Sequence, residues 1–280
     1  MRERLLVIGR GIGQVMFQNN ALSGLLMFIG ILCSSWTLAL LALAGNAVSS
    51  LTAYFFRYSP NDIRNGLYGF NGTLVGIAIG VFLRINLWSI LLLIIGSILS
   101  TWIAWLFNRQ SKIPGYTAPF ILSTWIILAL CHFLFPSLIL PPVNIIPEHV
   151  PNFLHAFSFN IGQVMFQGNL LTGFLFLIAI LLNSRLNVAY TIWGALLPLG
   201  MILLPTTNIT EFNAGLLGYN SVLCAIAVGN NSIKGVVWAT FAIILSIGLQ
   251  IGGMHLGLPT LTAPFVLTVW ITNKFSAMNS

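Results

Sequence analysis

The sequence predicts an all-α integral membrane protein of two inverted repeats, each with about five membrane helices, in which half-spanning helices surround a central pore. Three observations carry this. Charged residues make up 5% of the chain and hydrophobic residues 58%, whereas a soluble domain has about 25% charged residues. Apolar runs recur along the chain, and roughly 20 such residues make a membrane span. The chain also repeats itself. Ile12-Gly13-Gln14-Val15-Met16-Phe17-Gln18 returns as Ile161-Gly162-Gln163-Val164-Met165-Phe166-Gln167, and at the same spacing Gly66-Leu67-Tyr68-Gly69-Phe70-Asn71 returns as Gly215-Leu216-Leu217-Gly218-Tyr219-Asn220. A third echo, Thr117-Ala118-Pro119-Phe120 in Thr262-Ala263-Pro264-Phe265, arrives four residues early, so the second copy is shorter just before it. Duplicated halves of membrane transporters commonly enclose their site between them.

In chain order the first copy reads as segments 12–33, 35–56, 66–83, 86–107 and 117–140, and the second as 161–182, 187–205, 213–229, 234–252 and 262–279. The strand-length alternation of membrane barrels is absent. In hydrocarbon the backbone must satisfy itself, so runs of this length are helices. The opening Met1-Arg2-Glu3-Arg4, basic and followed by apolar residues, runs into the first motif without a small-residue cleavage site and reads as a retained start. Residues 141–160, rich in proline and polar groups, read as an extracellular or periplasmic connector between a first repeat at 1–140 and a second at 161–280.

An odd number of spans per copy turns the second copy upside down in the membrane. With a cytoplasmic N-terminus, Arg2, Arg4, Arg10, Arg57, Arg64, Arg109, Lys112, Arg185, Lys234 and Lys274 fall on the cytoplasmic side and Arg84 outside, the pattern of the positive-inside bias. The formal net charge of +7 is scattered along the chain, so it reads as topology, and no nucleic-acid partner is expected. Cys33, Cys131 and Cys224 form no CxxC pair or Cys/His cluster and read as small core residues.

Proline and glycine interrupt both copies at Ile113-Pro114-Gly115-Tyr116-Thr117 and Leu258-Pro259-Thr260-Leu261-Thr262. Each threonine is placed to N-cap a half-helix with proline in its first turn. Two half-helices would then begin inside the membrane, offering N–H donors and a threonine hydroxyl. Many ordinary helices start this way, and the duplication is what favours a functional reading. Gln14 and Gln163 open apolar runs, where an unpaired amide costs a few kcal/mol. A lone glutamine would read as interhelical glue. The matched pair, each followed three residues later by Phe17 or Phe166, reads as a pore lining with an apolar slot for a flat molecule. Asn71 and Asn220, beside Gly69 and Gly218, read as structural hydrogen-bonders at close helix contacts.

The four acids, Glu3, Asp62, Glu148 and Glu211, fall at termini or loops, which argues against proton coupling and acidic cation filters. Sodium held by carbonyls alone stays open. His132, His149, His155 and His255 stand apart, without carboxylate or thiol companions at ligand spacing. From the residues alone, the protein is a pore for a neutral solute.

The Gln-Val-x-Phe segment at 14–17, Gly69-Phe70-Asn71-Gly72-Thr73-Leu74-Val75-Gly76, and the Thr-x-Pro-Phe segment at 117–120, with their second-half copies, resemble recurring motifs of the urea transporter family. The resemblance covers essentially the whole chain. It implies a passive urea channel surrounded by membrane lipid, a homotrimer with a pore in each protomer, no cofactor, no metal and no catalytic residue. A bacterial inner membrane is expected from the short loops and the family's bacterial branch. The family's oxygen ladders fall on Gln14, Val15 and Phe17 and on Gln163, Val164 and Phe166, with Thr117 and Thr262 in the central zone. Some members carry glutamate in place of Gln163, which keeps an acceptor oxygen. Gly72 to Gly76 becomes Ser221-Val222-Leu223-Cys224-Ala225, so Leu74 and Leu223 are the slot neighbours matched least closely. A pore for ammonia, a short amide or water is the alternative, and a sensor that binds without conducting is a further one.

Overall fold

The computed structural model describes residues 2–110, 112–141 and 147–278. Within them the chain forms fourteen α-helices and no strand beyond an isolated bridge between Leu83 and Ile139. It is an all-α membrane protein. Two compact units divide it, Met1–Val143 and Asn144–Ser280. The first contains α1 (Arg2–Gln14), α2 (Ala21–Ser34), α3 (Trp36–Phe55), the short α4 (Pro60–Arg64), α5 (Gly69–Phe82), α6 (Leu87–Gln110) and α7 (Ala118–Leu134). The second runs through the same succession: α8 (Phe153–Gly162), α9 (Leu170–Leu181), α10 (Arg185–Leu196), the short α11 (Ile209–Asn213), α12 (Tyr219–Val228), α13 (Ile233–His255) and α14 (Ala263–Met278).

Among the described residues, Trp36–Phe55, Leu87–Gln110, Arg185–Leu203 and Ile233–His255 are long and apolar enough to cross a membrane. The stretch Phe153–Met165 makes a fifth span with Leu170–Leu181 if the 70° bend between them is allowed. The helices α2, α5, α7 and α12 are apolar but only 10–17 residues long.

Several boundaries differ from the sequence expectation for local reasons. Segments 12–33 and 161–182 are each broken rather than continuous. Asn20 restarts the first as N-cap of α2, its side chain accepting from Leu22 N and Ser23 N, and Asn169 does the same for α9 with Leu171 N and Thr172 N. Asparagine is among the best residues for that role because its short side chain reaches the free amides of the first turn. Segment 187–205 tightens to a 3-10 helix over Leu197–Leu203, where Pro198 withholds an N–H. Part of the stretch expected as connector is helical. Asn152 caps α8 by accepting from His155 N, and the helix runs from Phe153. Pro142, Val143, Asn144, Ile145 and Ile146 lie outside the described residues.

In the first unit, α3 and α5 meet backbone to backbone. A Cβ on Gly45 would stand 2.0 Å from Gly72 O, and one on Gly76 would stand 2.0 Å from Leu41 O. Such contact replaces the hydrophobic drive that lipid cannot supply between helices. Asn46, buried at this contact, bonds across it, as hydrocarbon favours. Asn46 Nδ2 donates to Thr73 Oγ1 at 2.9 Å and to Ile8 O at 3.2 Å. In the second unit Asn160 Nδ2 donates to Ala195 O at 2.9 Å. Leu51, Phe55, Leu203 and Ile233 are exposed, as suits side chains that face lipid. Cys131 and Cys224 are buried as expected, but Cys33 on α2 is exposed.

Candidate functional site

Helix α1 ends at Gln14 and the chain turns sharply. Met16 N donates to Gly13 O (3.0 Å), Phe17 N to Gln14 O (3.0 Å), and Gln18 N back to Gly13 O (2.9 Å). The reversal holds Phe17 in the left-handed conformation at φ 62°, a costly place for a bulky residue and one found mainly where function demands it. The end of α8 repeats the device. Phe166 N donates to Gln163 O (3.0 Å), Gln167 N donates to Gly162 O (3.1 Å), and Phe166 has φ 59°. Both turns close over glycine, since a Cβ on Gly13 would lie 2.5 Å from Gln18 O and one on Gly162 2.4 Å from Gln167 O. Gln18 and Gln167, both buried, staple the turns by donating to Met16 O (2.6 Å) and Met165 O (2.5 Å).

Gln14 and Gln163 make matching bonds. Gln14 Nε2 donates to Asn65 O at 3.0 Å, and Gln163 Nε2 donates to Ala214 O at 3.1 Å. A carbonyl oxygen can accept but not donate, so the partner facing it must be the amide N–H end, which leaves each Oε1 as an acceptor. The backbone that receives the amide is brought close by Gly66 and Gly215, at φ +73° and +70°, where a Cβ would meet Gly11 N or Phe159 C at 2.4 Å. Gln14, Phe17, Gln163 and Phe166 are partly exposed, while Val15 and Val164 are buried. Leu74 and Leu223 are wholly buried.

Thr117 occupies the N-cap position of α7 but makes no side-chain capping bond. Pro119 removes one first-turn N–H, and the next, Phe120 N, donates to Asn71 Oδ1 at 3.1 Å. Helix α14 starts the same way behind Pro264, with Phe265 N donating to Asn220 Oδ1 at 3.1 Å. The asparagines, expected only as generic hydrogen-bonders, are therefore the caps that locate the threonine segments. Nothing local in the sequence points to a partner 49 residues away. Thr117 and Thr262 are buried, each after a left-handed residue, Tyr116 (φ 45°) or Leu261 (φ 50°). In the first unit the ring of Phe17 meets that of Tyr116 edge-on at 6.1 Å. The glutamine turn and the start of α7 thus come together, and Asn71 ties α5 to the same place.

The copies diverge at one point. Tyr219 stands where the first copy has Phe70, and its buried hydroxyl donates to Leu261 O at 2.6 Å. Asn220 Nδ2 donates to Gln250 Oε1 at 3.0 Å and to Leu261 O at 3.3 Å. The left-handed turn before Thr262 is thereby tied to α12, and through Gln250 to α13. In the first unit Asn71 Nδ2 is buried with no hydrogen-bond partner.

The residues so arranged are amides, hydroxyls, helix-end carbonyls and aromatic rings. Such groups can replace the hydration of a neutral N–H-bearing solute while offering an ion no compensating charge. Among the described residues no three His, Cys, Asp or Glu side chains gather as a metal site.

Residues 5–276 match the family model described as "Urea transporter". Among curated proteins, the chain is 31% identical to Urea transporter 1 of Ovis aries, over 92% of this chain and 73% of that protein. It is 30% identical to Urea transporter 1 of Capra hircus with the same coverage. Against Urea transporter 1 of Rattus norvegicus it is 32% identical over 86% of this chain and 66% of that protein.

Proposed function

The chain belongs to the urea transporter family, and from this we propose that it is a passive urea channel whose selectivity lies in the two glutamine turns and the two threonine segments. The observation that carries the reading is the twofold amide geometry. Gln14 and Gln163 each donate an N–H to a backbone carbonyl, at 3.0 and 3.1 Å, which leaves the amide oxygen as an acceptor, and each is followed three residues later by a partly exposed phenylalanine. Urea is flat and neutral, with four N–H donors and one carbonyl. A row of acceptor oxygens replaces its hydration, and rings on either side exclude solutes that are not planar. Gln14, Val15, Phe17, Gln163, Val164 and Phe166 supply the oxygens and rings, and Thr117 and Thr262 mark the central zone. Leu74 and Leu223, being wholly buried, enter as packing behind the lining. No covalent step is involved, and the protein acts as a channel rather than an enzyme.

The test is stopped-flow light scattering on proteoliposomes given inward gradients of urea, acetamide, glycerol or ammonia, beside empty vesicles. Rapid urea entry with glycerol excluded is the expected result. Entry of ammonia or acetamide without urea would replace urea by that solute, and urea binding without entry would point to a sensor.

We further propose, from the distribution of charge, that the N-terminus is cytoplasmic and the second copy has the opposite topology to the first. A homotrimer with one pore per protomer is proposed from the family resemblance, and a bacterial inner membrane from the short loops and the family's bacterial branch. Reporter fusions at each terminus test the topology, and light scattering of the purified protein tests the trimer.

A further inference from the structure

Away from the glutamine turns, the first unit carries an open cavity of about 980 Å³ whose lining includes Arg57, Arg64, Glu3, Tyr54, Phe55 and Tyr58. Two guanidinium groups against one carboxylate give it a positive balance. Arg57 stands at the exit of α3 in the left-handed conformation, φ 54°, where Tyr58 N donates back to Ala53 O at 3.0 Å and closes the helix end. Arg64 is held from two directions, its Nε donating to Pro60 O at 3.3 Å and its backbone carbonyl accepting from Arg10 Nη1 at 3.0 Å.

The surroundings have the character of a membrane–water boundary, where tryptophan, tyrosine and basic side chains collect. Tyr58 stacks on Trp105 at 5.5 Å, Phe56 meets Trp102 edge-on at 5.8 Å, and the Arg109 guanidinium lies 5.4 Å from the Trp105 ring centre. Beyond them Tyr54 is 70% and Phe55 80% exposed. At the repeat spacing the second copy has Thr206, Asn213 and Phe159 in place of Arg57, Arg64 and Arg10. The duplicated framework therefore folds without these guanidiniums.

We propose that this cavity binds an anionic membrane phospholipid, its phosphate between Arg57 and Arg64 and its acyl chains along Leu51, Tyr54 and Phe55. Charge selects the headgroup, and the exposed apolar face of α3 selects a lipid over a free anion.

Native mass spectrometry of the purified protein with phosphatidylglycerol, phosphatidylcholine or inorganic phosphate tests this. Phosphatidylglycerol should be retained over phosphatidylcholine by roughly twenty-five-fold, each arginine contributing about fivefold. The Arg57→Gln/Arg64→Gln protein should lose that preference while conducting urea as the parent does. Arg57→Gly with Arg64→Gln serves if the first variant folds poorly, because glycine takes the left-handed backbone without strain. Equal retention of the two lipids by the parent, or an undiminished preference in a folded double variant, would overturn the proposal. Displacement of the lipid by millimolar phosphate would overturn it in favour of a free-anion site.

Discussion

Gln14 and Gln163 each do two jobs with one amide. The N–H end closes a bond to Asn65 O or Ala214 O, and the oxygen is left as an acceptor, which the proposed channel would present to urea. Changing Gln14 to Leu removes both. Urea flux through the variant should fall about tenfold, the kinetic equivalent of one lost hydrogen bond of roughly 1.4 kcal/mol, measured by stopped-flow with the amount of reconstituted protein held equal. Thr117→Leu should fall at least as far. Unaltered flux in both would remove these residues from the lining. Tyr219→Phe poses a different question, since its hydroxyl bonds the turn before Thr262 and Gln250 of α13 rather than Gln14 or Gln163. Leu261 O keeps the longer bond from Asn220. The expected loss is about 1–2 kcal/mol of stability, read as a lower melting temperature in detergent.

Close backbone packing is local to particular helix pairs. Where α3 and α5 touch, a Cβ on Gly72 would stand 2.2 Å from Gly45 O, so Gly72→Ala forces two backbones apart. Little folded protein should be recovered. In α13 a Cβ on Gly248 meets nothing within 4 Å, and Gly248→Ala should be neutral or stabilising by up to about 1 kcal/mol, as helix propensity dictates. Size-exclusion yield and melting temperature distinguish the pair. Much of this scheme is legible in the sequence, because repeats, apolar runs and Pro/Gly breaks are local signals. The breaks at Phe17 and Phe166 are not, since a bulky left-handed residue announces nothing in the text of the chain. Nor are the caps of α7 and α14. Threonine before a proline reads as an N-cap, but the proline deletes one amide a cap would use, and an asparagine from another helix takes the next.

Two compact units joined near 143–144, each with its own helix contacts, suggest that the peptide bond between them carries little of the stability. Co-expressing 1–143 with 144–280 should restore urea flux to within a few-fold of the intact chain in the same vesicles. Failure of separately folded halves, purified in detergent, to do so would show that the link itself is required for assembly. The borrowed caps bear on how such a chain is made. Synthesis runs from the N-terminus, and each capping asparagine precedes the amide it serves. Asn71 is in place before Phe120 leaves the ribosome, and Asn220 before Phe265. A newly made α7 or α14 thus finds its terminus already provided for, and reversing that order of delivery, as a circular permutant opened between α5 and α7 would, leaves a proline-led helix waiting uncapped in the bilayer.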